Sequence, residues 1–383
     1  MAVTPDTINH LRVATVLHYY ATGPGQELHA WLRGKRCAAC ALLEHPFQFS
    51  RREYARLENC ENGVVVGEQR FPVGRLPMPI RYCLDFLRTV SILRRSTWDA
   101  YVGNGCFDTL AGIVLRRLGK VRRVVLYTID YAPNAGGSRL YAWLYRKIDR
   151  FCCYHADAIW NLSRRMMTGR WKDGTKLDRC AKAIWVPHGT HARRMRHEVR
   201  MECEPQRVAF FGHVQEKSGV QLFIEAMPEL TRDFPALHLD ILGDGPYRPA
   251  LERLAARLHM EHRVTFHGFI ENHDDAEKFL VRCGIGLALY VPGDSDFSQY
   301  ADPGKPKVYL ACGLPVVIVG VPEVADLIDA RGAGRKIEYD RVSMCAAITD
   351  ILRTHGEYRS RALSLADEYD WDAVFSLAWH ETL

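Results

Sequence analysis

"RVAFFGHVQEKSGVQLFIEAMPEL" occupies Arg207–Leu230. Apolar residues run into Gly212, a short polar turn follows, and from Val220 apolar residues return at helical spacing. Strand, glycine exit and helix make one α/β unit. Its position gives the stretch its weight. A β–α alternation has already run through the first half, and a connector rich in Arg and Glu precedes Gln206. The chain therefore restarts, and it reads as two α/β units rather than one.

Working backwards, "RVATVLHY" (Arg12–Tyr19), "CAACALL", "AYVGN", "RRVVLYTIDY" and "DAIWNLS" read as strands, with helices between them. One of those helices, Pro79–Arg95, puts Tyr82, Phe86, Val90 and Leu93 on one face. Working forwards, "LHLDILGDG", "RVTFHGF", "GIGLALYV" and "LPVVIVG" are strands separated by "YRPALERLAARLHM", "AEKFLVRC" and "PKVYLACG". Alternating β and α segments with apolar strands predict parallel, doubly wound sheets. Ligands of such sheets bind outside the carboxyl ends of the strands. Two facing Rossmann-like domains would place a site between them. The tail is helical in pattern, with Trp371, Val374, Phe375 and Ala378 as its apolar stripe.

The 383 residues suit two domains, and 48% hydrophobic with 25% charged content is that of a globular protein. No apolar run has the length to span a bilayer, and the first residues lack a signal-peptide pattern, so a cytoplasmic location is expected. The net charge of +6 conceals a polarity. Residues 1–200 hold 33 Lys and Arg against 16 Asp and Glu, and the remainder hold 18 against 29. A basic first half favours an anionic partner, such as a membrane surface on which the protein sits peripherally. It also permits nucleic acid, but no reading motif accompanies it. The twelve cysteines are scattered. Cys37 and Cys40 form the single Cys-x-x-Cys and read as small residues of a buried strand, with a redox or metal pair as the alternative.

Four strands leave through glycine turns on what should be one edge. "ATGPGQEL" carries Gly23 and Gly25; "FFGHVQEKSGVQ" carries Gly212, His213 and Lys217; "ILGDGP" carries Gly243; "FHGFI" carries Phe269. Glycine lets backbone N–H groups approach a phosphate, and a helix N-terminus adds positive charge. "YADPGKPKVYLACGLPVVIVG" (Tyr300–Gly320) completes the edge with Asp302, Lys305 and Lys307 around Gly304. Fixed cations there would steady the charge that develops on a departing diphosphate. Asp130 closes the strand "VVLYTI" and is the candidate base for an acceptor hydroxyl, with an Asx turn or helix cap as the other reading. His18, His188 and His191 lack a carboxylate at metalloenzyme spacing, so no metal ligand is expected among them.

The restart, with "LDILGDGP", "VTFHGFI" and "YLACGLPVV", resembles the nucleotide-sugar half of GT-B glycosyltransferases, most closely those of family four. "YTIDYAPN" and "IDRFCCYHADAIWNLS" resemble a bacterial subgroup that makes surface or extracellular glycans. The resemblance implies an N-terminal acceptor domain at 1–195 and a nucleotide-sugar domain at 206–367. A helix at 368–383 would cross back onto the first. It implies that Gly212, Lys217, Gly243 and the Lys305 region surround the donor diphosphate. The backbone near Phe269 would read the base, and Gly23 and Gly25 would approach from the other domain. No metal or cofactor is implied beyond the nucleotide sugar.

Two departures stand out. The family's Glu-x7-Glu pair falls on Tyr300 and Val308, and His213 stands where an arginine is common. Asp302 and Lys305 are the residues placed to substitute. The expected activity is transfer of a sugar to an acceptor hydroxyl or lipid-linked glycan, in polysaccharide synthesis. A catalytically inert binding partner in a glycan-assembly complex and a nucleotide-sugar epimerase are the rival readings.

Overall fold

Both halves of the chain build a sheet, and both sheets use one device: the chain leaves its first strand to one side and later returns to the other. In the computed structural model, residues 8–19, 22–47, 50, 52–74, 76–134, 138–196, 198–200, 202–293 and 300–383 are described. They divide into unit 1, Met1–Pro187 with Trp371–Leu383, and unit 2, His188–Asp370.

Unit 1 runs β1 (Arg12–Tyr19), α1 (Pro24–Gly34), β2 (Ala39–Pro46), β3 (Tyr54–Glu61), β4 (Val64–Pro72), α2 (Met78–Leu93), β5 (Trp98–Asn104), α3 (Cys106–Arg117), β6 (Val121–Thr128), α4 (Arg139–His155), β7 (Ala158–Asn161), α5 (Arg165–Lys172) and β8 (Lys182–Trp185). Its strand order is β4-β3-β2-β1-β5-β6-β7-β8. All pairs from β2 through β8 are parallel, whereas β2–β3 and β3–β4 are antiparallel. The sheet is thus mixed, where sequence periodicity suggested a purely parallel one. Asn62 and Gly63 turn the added hairpin with φ of 51° and 84°. Two positive φ values match the twist of flanking strands, which is why Asn-Gly serves there.

Unit 2 runs α6 (Ala192–Met195), β9 (Glu204–Phe211), α7 (Val220–Asp233), β10 (His238–Leu242), α8 (Arg248–Arg257), β11 (Val264–Gly268), α9 (His273–Leu280), β12 (Cys283–Ala288), α10 (Gly304–Ala311), β13 (Val316–Val319), α11 (Val324–Ala330), β14 (Gly334–Ile337), α12 (Arg341–Arg353) and α13 (His355–Glu368). Every strand pair in the order β11-β10-β9-β12-β13-β14 is parallel. Such strands are covered on both faces, and Val208, Phe210, Ile241, Ile285, Leu287, Val317 and Val319 accordingly sit in one apolar core with α7.

The last helix, α14 (Trp371–Thr382), returns to unit 1. Trp371 stacks on Phe375 at 4.9 Å, Phe375 meets Trp31 of α1 at 5.8 Å, and Trp379 meets Trp160 of β7 edge-on at 5.3 Å. Trp31 donates to Asp372 (2.9 Å) and Trp160 to Thr382 (2.9 Å). Large rings, with the Trp31 and Trp160 N–H groups satisfied, give this short helix an anchor its length alone would not.

Candidate functional site

The order of unit 2 places a topological switch between β9 and β12, the position where open α/β sheets bind ligands. Gly212 stands at the carboxyl end of β9 with φ of 134°, and its N–H donates to Leu242 O at 2.8 Å. A Cβ on Gly212 would lie 2.2 Å from Lys305 Nζ. One on Gly243 (φ 145°) would lie 1.9 Å from Gly212 O. Any side chain at either position would expel the lysine or part the two turns. Gly243 thus lets the two turns pack together, and Gly212 lets the Lys305 ammonium rest on bare backbone.

That ammonium has no ion pair among the described residues. It lies 5.3 Å from the centroid of the Phe210 ring, and burial lowers the pKa of Lys305. A partly desolvated cation without a counter-ion attracts an anion. Lys305 also lies in the first turn of α10, where Gly304 and Lys305 supply N–H groups without intrahelical partners.

Lys307 differs completely. It is fully buried, forms an ion pair with Asp302, and lies 5.0 Å from the Tyr369 ring centroid. Burial lowers its pKa, and the nearby Asp302 carboxylate opposes that shift. Asp302 in turn accepts from His188 N at 2.7 Å. The pair fixes the turn before α10, so of two lysines similar in sequence only Lys305 keeps an open charge.

Next to Gly212 in the chain, His213 is exposed and donates its Nδ1–H to Asp244 O (2.9 Å), which leaves Nε2 free of that bond. Lys217 is exposed in a 3-10 turn, and its carbonyl accepts from Val291 N at 3.1 Å. Phe269, just past β11, is 76% exposed, which leaves a large apolar face able to stack on a planar ring. Tyr300 is half-buried.

In unit 1 the switch lies between β1 and β5. Gly23 caps α1 in an extended conformation and takes the Gln26 side chain on its N–H (3.0 Å). Gly25 is buried, and a Cβ there would meet Asn104 at 2.7 Å. Asp130 lies beyond the end of β6, one strand from the switch. Its carboxyl reaches solvent, yet desolvation raises its pKa. Beneath its loop is Arg170, fully buried. It grips both oxygens of Asp149 (2.8 and 2.9 Å), and also Asn161 (2.7 Å) and Thr128 (2.7 Å).

A cluster that sequence reasoning missed fills the β1 end. His18 Nδ1 is 2.9 Å from Asp108 and Nε2 3.6 Å from Asp85; His45 and Arg88 also reach Asp85, at 3.2 and 2.9 Å. Burial disfavours the charge on His18, but the two carboxylates outweigh it and raise its pKa to about 9. His45, dominated by burial, is shifted down. The folded state thus holds a proton on His18 that an unfolded imidazole releases near pH 6.5. This contribution, about 3 kcal/mol by linkage, is complete below pH 6.5 and disappears as pH rises through 9. Urea unfolding across that range should show the decline, and His18→Gln should remove one proton from its slope.

Known proteins resemble the chain in part of its sequence and in its fold. Residues 205–354 match the family model described as glycosyl transferases group 1. The chain is 36% identical over 177 residues to the alpha-D-kanosaminyltransferase of Streptomyces kanamyceticus, covering 45% of this chain and 43% of that protein. It is 33% identical over 136 residues to a GDP-mannose-dependent phosphatidylinositol monomannoside mannosyltransferase of Mycolicibacterium smegmatis, covering 32% of each. The chain thus spans less than half the length of these curated relatives. Among solved structures, Anabaena HepE in complex with UDP aligns over 97% of this chain and 99% of its own, with TM-score 0.67 and 14% identity. Sucrose-phosphate synthase of Thermosynechococcus elongatus aligns over 97% and 98%, with TM-score 0.68 and 13% identity. The fold is that of the GT-B glycosyltransferases, and within unit 2 residues 205–354 are similar to the glycosyl transferases group 1 family.

Proposed function

We propose that the protein transfers a sugar from a nucleoside-diphosphate donor held by unit 2 to an acceptor hydroxyl presented by unit 1. The observation that carries this reading is Lys305: a partly desolvated ammonium without a carboxylate partner among the described residues, on a glycine platform at the switch point of a parallel sheet. A diphosphate is the anion such a place suits, and the α10 first turn, which holds Lys305 itself, adds N–H donors. Phe269 stacks the base, and His213 Nε2 and Lys217 assist at the phosphates. Lys307 and Asp302 act by fixing the turn. Gly23 and Gly25 shape the start of α1 in unit 1. In an inverting reaction, Asp130 takes the acceptor proton; its raised pKa matches a carboxyl poised to bind one.

The acceptor proposed is a glycan or lipid-linked glycan. Unit 1 supplies an apolar and basic surface for it: α2 exposes Ile80, Leu84 and Leu87, and α4 exposes Leu140, Trp143 and Leu144. Apolar residues amid arginines are the composition that lies on anionic membrane surfaces. Sedimentation with anionic vesicles but not with neutral ones would bear this out; recovery in the supernatant from both would refute it.

A thermal-shift panel of nucleoside diphosphates and their sugars tests the donor reading. One nucleotide at about 100 times its Kd should stabilise the protein by about 2.7 kcal/mol. No shift from any member would remove the proposal. With the donor known, Asp130→Asn should keep that shift and lose most transfer. Unchanged turnover would take Asp130 out of the mechanism. The absent Glu pair, with Tyr300 and Val308 in its place, favours a second reading as a binding partner. Tight nucleotide binding without turnover across an acceptor panel would select it.

A further inference from the structure

Away from both switch points, the antiparallel edge of unit 1 assembles a set of soft donors. Cys40 of β2 and Cys60 of β3 stand directly opposite in register, and His29 of α1 lies over them. His29 Nε2, Cys40 Sγ and Cys60 Sγ all lie within 4.8 Å of one another, and all three residues are buried. Cys60 Sγ is 3.6 Å from His29 Nε2. A tetrahedral zinc ion with Zn–S of about 2.3 Å and Zn–N of about 2.0 Å holds sulfur and nitrogen about 3.5 Å apart. The protein therefore already spaces these atoms as one edge of such a tetrahedron. Glu58, nearly buried, places Oε1 3.1 Å from His29 Nε2 and 3.7 Å from Cys60 Sγ; it lies outside the close trio of donors, and a turn of its side chain toward Cys40 makes it the fourth donor.

The charges also close. Two thiolates and a carboxylate oppose a dication, and the remaining negative charge meets the guanidinium groups of Arg56 and Arg33, both paired with Glu58. We propose that His29, Cys40, Cys60 and Glu58 form a structural site for a thiophilic divalent cation such as zinc. With four protein donors the site is closed and holds no open position for chemistry. Its effect is mechanical: it ties α1, whose N-terminus carries Gly23 and Gly25, to β2 and β3. Binding replaces the two thiol protons with the metal and releases them to solvent.

The test uses full-length protein purified without metal-affinity resin. Elemental analysis should find about one zinc per chain. Protein stripped by chelator should melt lower and take up one cobalt(II), with the intense visible bands of tetrahedral thiolate coordination. Cys40→Ser and Cys60→Ser should each weaken cobalt affinity at least a hundredfold, and Glu58→Gln about tenfold or more. Reduced wild-type protein that binds no zinc or cobalt, and whose melting temperature ignores the chelator, would overturn the site without recourse to any variant. A metal-free Cys40–Cys60 disulfide in protein purified without oxidant would overturn it equally.

Discussion

Lys305→Ala is expected to lower the rate of sugar transfer by about 10² to 10³-fold while leaving the melting temperature unchanged or higher. The rate effect is that of removing one preorganised donor from a developing charge, about 3 kcal/mol. The stability effect runs the other way for a physical reason. Lys305 is desolvated and has no carboxylate partner among the described residues, so the folded protein gains nothing from its charge in the absence of a ligand. A structural lysine would show the opposite combination, with stability lost and kinetics altered only as a consequence. Steady-state kinetics and calorimetry on the same preparation separate the two. Nucleoside-diphosphate affinity should fall together with the rate, since one ammonium serves both. Normal affinity and rate would make Lys305 an accident of packing.

The second large effect concerns stability. Arg170→Met should cost about 3–5 kcal/mol, because it leaves a buried Asp149 carboxylate without its partner. It also strips Asn161 and Thr128 of donors they take at 2.7 Å. The loss should reach the Asp130 loop, since Arg170 lies 5.2 Å from the ring centroid of Tyr131. Pairing the change with Asp149→Leu should restore much of the stability, because an apolar pair of similar volume has no charge to desolvate. Urea unfolding of both variants is the measurement. A double variant no more stable than the single one would show that the arginine acts through its shape and neutral hydrogen bonds instead.

The strands that read clearly from sequence were those buried on both faces, such as Val208–Phe210 and Val316–Val319, whose unbroken apolar runs have no helical period. The hairpin β3–β4 did not register for the converse reason. Its outer strand exposes Val64, Val65 and Val66, so burial imposed no alternation there. The Asn62-Gly63 pair was the signal that would have found it. Lys305 and Lys307 show how far a motif carries. Residues two apart on a helix point to different sides, so one lysine had to face the core. That its partner would be Asp302 is a fact of three-dimensional distance. The His18 cluster draws on positions 18, 45, 85 and 108, and the His29 cluster on 29, 40, 58 and 60. Apart from Glu58 and Cys60, which share a face of β3, no spacing rule links such positions, because sheet register and helix docking bring them together.

The return of α14 to unit 1 sets an order of events during synthesis. Unit 2 is one continuous stretch, His188–Asp370, whereas unit 1 is interrupted by all of it. At ordinary elongation rates, making unit 2 takes on the order of ten to forty seconds. Throughout that interval the first-made domain lacks the helix that covers Trp31 and Trp160. The nascent chain must therefore shelter an unfinished indole-rich surface while the later domain completes itself, and the N-terminal half matures last.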